Sequence, residues 1–129
     1  MTSNGLRILV KSTLLSACQR VFYKKADKDA MYPHVVFELK KSRKYDTARD
    51  DVTIDVDIWT KADGCGTDVS EVEAFNIADA IEGAFNNRNS PQETFLPTFF
   101  VENIQEIEDA DKDITHIAVE ITAQNYERS

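Results

Sequence analysis

Cysteine is scarce in this 129-residue chain, with only Cys18 and Cys65. Two thiols make no disulfide framework, and reduced, intracellular thiols are the simplest reading. With His34 and His116 they are the only soft ligands, and none has finger-like spacing with another, so no zinc site is expected. Glycine is scarce as well, at four residues. No Gly-rich phosphate loop and no G-x-S-x-G elbow can be found. Long apolar runs are missing: nothing approaches the roughly 18 to 20 residues of a membrane-spanning helix. Leu15-Ser16-Ala17-Cys18 has the look of a lipoprotein cleavage box. Lys11 interrupts the apolar stretch before it, which argues against a signal segment. An amphipathic basic helix at the N-terminus is also a membrane-surface pattern, but packing on a sheet explains its stripe, so no membrane partner is expected.

Basic side chains become scarce after residue 49. Residues 1–49 hold eleven Lys/Arg and four acids, whereas the remaining eighty hold four and nineteen, which recovers the net charge of -8. Either the two halves neutralise each other within one fold, or copies attract head to tail. The length and the 42% apolar fraction suit one domain, residues 1–129, with a real core.

What is present is organised around Asp51–Thr60, D-V-T-I-D-V-D-I-W-T. Val52, Ile54, Val56 and Ile58 alternate with Thr53, Asp55, Asp57 and Trp59, so one strand face is apolar and the other acidic and aromatic. Around it, residues 5–25 read as an amphipathic helix, with Ser3 or Asn4 as cap. His34–Lys40 reads as a strand, joined to the central one by the basic loop K-K-S-R-K-Y-D-T-A-R-D. A second helix runs to about Asn86, opened by a capping box at Ser70/Glu73 or Asp68/Glu71. A polar loop over residues 86–98, with Pro91 and Pro97, reads as an exposed arm. Phe99–Ile107 is a strand with a bulge near Asn103. An acidic turn leads to the strand Ile114–Gln124, and the C-terminal N-Y-E-R-S is expected to fray. The expected fold is α+β: a two-layer, four-stranded, mainly antiparallel sheet with two helices on one face, in the order α-β-β-α-β-β.

Asp55 and Asp57 are carboxylates on one strand face, a pair that in an enzyme could act as acid and base or hold a metal. Solvated acids on an outward face explain them as well. Asp109, Asp111, Asp113 and Glu120 mimic calcium-loop spacing, but Ile114 stands where that loop needs glycine, and a strand follows instead of a helix. No catalytic residue, metal or cofactor is assigned. The basic cluster Lys40, Lys41, Arg43 and Lys44 with Tyr45 could meet phosphates or an acidic protein surface. A chain of this net charge repels a polyanion, which favours the protein surface. Trp59, facing outward, is either an interface anchor or packed under a loop.

Tyr32-Pro33-His34-Val35-Val36-Phe37, then Val56-Asp57-Ile58-Trp59, then Ile77-Ala78-Asp79-Ala80-Ile81 resemble motifs of the small phage and prophage tail terminator, or tail-completion, proteins. The resemblance covers most of the chain and includes no catalytic residue. It implies an α+β subunit of a ring, commonly hexameric, at the head-proximal end of a phage tail. Such a ring stops tube growth and joins tail to head. The implied partners are other copies, the tail tube protein and the head connector, with DNA only as passing cargo. The implied location is the virion tail, and the host cytoplasm during assembly. Lys41, Arg43, Lys44, Tyr45, Asp55, Asp57 and Trp59 are then candidate assembly contacts, the basic loop meeting either a neighbour or the lumen. Another neck or head-closure role, or a small enzyme using Asp55 and Asp57, are the alternatives.

Overall fold

A computed structural model describes residues 3–40, 43–44, 49–62, 67–86, 88–89, 91–92, 95–111 and 113–127. In chain order its elements are α1 (Ser3–Leu15), β1 (Val21–Tyr23), β2 (His34–Leu39), β3 (Arg43–Lys44), β4 (Arg49–Lys61), α2 (Thr67–Phe85), β5 (Arg88–Asn89), β6 (Phe95–Ile107) and β7 (Ile114–Glu127). The apolar alternation around Ile54 does produce the central strand. β4 pairs along its whole length with β7 and on its other side with β2. Val52, Ile54, Val56 and Ile58 are buried, while Thr53, Asp55, Asp57 and Trp59 lie on the opposite, partly exposed face. Burying side chains of this size stabilises by about 1.5–3 kcal/mol each.

The sheet order is β1-β2-β4-β7-β6-β5, with β3 paired to the start of β4. Five strands have three or more residues, not the four expected, and the sheet is mixed because β1 runs parallel to β2. The extra strand corrects the reading of residues 5–25 as one helix. α1 stops at Leu15, where Cys18 closes the last turn with its amide on the Leu14 carbonyl at 3.1 Å. Val21, Phe22 and Tyr23 are β-branched or aromatic and gain more against β2 than in a further helical turn. Leu6, Val10 and Leu14 still form the buried stripe of α1, and Ala74, Ile77, Ala78, Ile81 and Phe85 that of α2. Both stripes join the apolar sheet face in one core.

Three further expectations are corrected. α1 begins at Ser3 and α2 at Thr67, so Asn4 and Ser70 lie within helices and not ahead of them, while the side chains of Ser3 and Asp68 lie outside what is described. Ser70 is buried instead: its hydroxyl meets that of Thr115 at 2.7 Å, and its carbonyl accepts from the Thr60 hydroxyl at 2.7 Å. The supposed arm of residues 86–98 contributes β5 and the first four residues of β6. Pro97 is tolerated there because the Phe95 carbonyl bonds the Gln92 amide at 2.8 Å, which places alternate backbone groups of this stretch away from β7. The C-terminus does not fray at Asn125: β7 continues to Glu127, opposite Phe95. The bulge lies where it was expected, between Val101 and Asn103.

Candidate assembly surface

The helices cover one face of the sheet, so the other face of β2, β4, β7 and β6 presents its side chains outward. Strand register divides this face into two zones. At one end His34 lies opposite Trp59, and Trp59 opposite His116. The three rings stack, with His34–Trp59 centroids 5.5 Å apart and Trp59–His116 centroids 4.2 Å apart. Phe22 and Tyr32 meet His34 edge-on and tilted, at 6.1 and 4.9 Å. The single tryptophan is thus clamped between the only two histidines. Trp59 faces outward, as its parity implies, and the two imidazoles that flank it leave it partly exposed.

His34 is buried, and its Nδ1–H donates to the Met31 carbonyl at 3.2 Å. Burial pushes its pKa below the usual value and the Arg20 charge adds to this, while the Met31 hydrogen bond opposes it. His116 Nε2–H donates to the Asp57 carboxylate at 2.8 Å.

The second zone is acidic. Asp55 lies opposite Glu120 on β7 and takes Lys40 Nζ at 3.4 Å. That pair is half-exposed and contributes at most about 1 kcal/mol. Arg49 grips Asp51 through two bonds of 3.0 and 3.1 Å. Asp55 and Asp57 are therefore each engaged separately, Asp55 by a lysine and Asp57 by a histidine, and are not set up as an acid–base pair. Among the described residues no group of three potential ligands could hold a metal, including the acidic turn. No helix among them is long and apolar enough to cross a membrane.

Of the other candidate contacts, Arg43 and Lys44 are placed by backbone alone, opposite Asp51 and Asp50. Lys41 and Tyr45 lie outside the described residues, as does Cys65. Sequence reasoning missed His34, His116 and Glu120 as neighbours of the central strand. Each has outward parity, a visible signal, but the register that aligns them comes from two separate strand pairings, β2 with β4 and β4 with β7. A groove of about 810 Å³ opens elsewhere, between the end of α1 and α2, lined by Cys18, Arg20, Pro33, Val72 and Asn76 among others. Burial pushes the Cys18 thiol pKa up, so this groove holds no activated nucleophile.

A family profile described as Tail completion protein gp17 matches residues 1–124. The chain belongs to the tail completion protein gp17 family. It is accordingly a structural protein of the phage tail and not an enzyme, and it associates with other tail and head proteins. Among solved structures it is similar to a chain of the "Virion of native gene transfer agent (GTA) particle", with TM-score 0.62, 13% identity and 92% of each chain covered. At that identity the likeness concerns the fold. No curated protein matches by sequence.

Proposed function

We propose that this tail completion protein acts as a terminator: a ring, hexameric by family likeness, on the head-proximal end of the tail tube. There it stops tube growth and offers a docking surface to the head connector, with DNA passing through the ring. The virion tail is its final place and the host cytoplasm its place of assembly. The match along nearly the whole chain carries this reading. The outward face, with its aromatic-histidine clamp beside a field of carboxylates, supports it as a contact surface in which Asp55, Asp57 and Trp59 take part. Lys41, Arg43, Lys44 and Tyr45 belong to the same proposal as contacts of the loop.

Deleting the gene and imaging the particles tests it. Headless tails of irregular length are expected. Normal-length tails joined to heads without this protein would overturn the reading.

A further inference from the structure

Among the described residues the sheet has two free edges. β6 is bordered by β5 only at Thr98 and Phe99. From Val101 to Ile107 no strand among the described residues pairs with its outer side, and only the Val101 amide is taken, by Asn86 Oδ1 at 3.1 Å. Long open edges recruit further strands unless they are blunted. The other free edge is β1, which among the described residues pairs with β2 alone.

The two edges carry opposite charge. Residues 101–113 hold six acids and one lysine, and Glu102 and Glu106 on the edge strand are exposed. Residues 20–28 hold four basic side chains and one acid, and Lys24 and Lys25, which follow β1 directly, are exposed. Arg7 adds charge from α1, its guanidinium 5.1 Å from the Tyr23 ring centroid.

Direction matches too. β6 is antiparallel to β7, β7 to β4, and β4 to β2, while β1 is parallel to β2. β1 and β6 therefore run in opposite directions. A copy displaced along the sheet brings its β1 antiparallel to the β6 of its neighbour, the stronger kind of ladder.

We infer that these edges are the two halves of the contact between copies: the acidic β6 edge of one copy receives the basic β1 edge of the next. The inference rests on the ring reading above and names its interface. The contact is head to tail, so its repetition closes a ring or continues as a filament. β1 offers only three residues, so backbone bonds are few and the charges supply much of the attraction.

Two variants test it: Glu102→Lys with Glu106→Lys, and Lys24→Glu with Lys25→Glu. Oligomers of the full chain are followed by native mass spectrometry, free and on the ends of tubes grown from tail tube protein. Melting temperatures check that each variant folds. Each variant alone is expected to associate about ten-fold more weakly or worse, since like charges then face each other. Mixing the two restores association, because each altered edge now meets its complement, and the copies alternate. Folded single variants that assemble as well as wild type would overturn the edge contact and leave the ring standing. Failure of the mixture to recover would overturn it as well. A wild-type chain that forms no oligomer free or on tube ends would remove the ring reading and this inference together.

Discussion

Replacing Asn125 by leucine should make the protein more stable. Asn125 is 1% exposed on the core face of β7, opposite Asp50 and Pro97. Among the described residues neither its amide nitrogen nor its oxygen has a hydrogen-bond partner. A buried amide without partners costs about 1–3 kcal/mol, as judged from mutational series. Leucine has the branching and heavy-atom count of asparagine but bulkier ends, and it removes that cost. It also buries apolar surface on the core face, while its larger volume costs about 1–2 kcal/mol of misfit in the other direction. The net expectation is a gain of about 1 kcal/mol, or roughly 3–5 °C in melting temperature for a chain of this size. Urea melts analysed by linear extrapolation, with calorimetry beside them, read it directly. Asn125→Asp is the companion: an ionised carboxylate there, across from Asp50, should cost about 3 kcal/mol or more at pH 7. A leucine variant no more stable than wild type, with unchanged m-value, would refute the reasoning, since the amide would then be paired in solution.

Lowering the pH should cost stability through His34. Its folded pKa lies below the unfolded value, so the neutral ring's contribution is complete above about pH 6.5 and is lost as pH falls toward the folded value. Urea midpoints between pH 7.5 and 5 should fall less steeply in His34→Gln than in wild type, and equal slopes would show that another group titrates. Ser70→Ala and Thr115→Val should each cost about 1–2 kcal/mol by removing the buried hydroxyl–hydroxyl bond, and the double variant less than their sum. Phe85→Ala should cost about 3–5 kcal/mol, because the fully buried ring meets Phe99 edge-on at 5.0 Å; thermal melts check it.

Residues with one strong periodicity were legible. Val52 to Ile58 and Ala74 to Phe85 each had a single way to hide their apolar side chains, and they took it. Residues 16–25 were not legible, because Val21 and Phe22 continue the helical spacing of Leu14 and Cys18 by accident, and only β2 as a neighbour makes them a strand. Pro97 misled for a related reason. Proline weakens a strand only where its missing donor is needed, and need depends on which side the next strand lies. The outward positions of Asp55, Asp57 and Trp59 followed from parity. Their company followed from register, which depends on connections and is not written in any one segment.

The bulge in β6 is a spare residue. β6 spends residues 95–107 facing residues 116–127 of β7, and the register runs from Val101–Ile121 straight to Asn103–Glu120. Glu102 is the one left over. Deleting it keeps every remaining pair, so Val101 and Ile104 stay on the core side, and the fold should survive with little loss. What changes is the bend of the strand and one carboxylate at its rim. In a lineage of such genes, a one-codon insertion or deletion here is thus a step that reshapes the outline of the subunit while leaving its interior alone. Nearly anywhere else in β4 or β7 the same step would turn the core face outward.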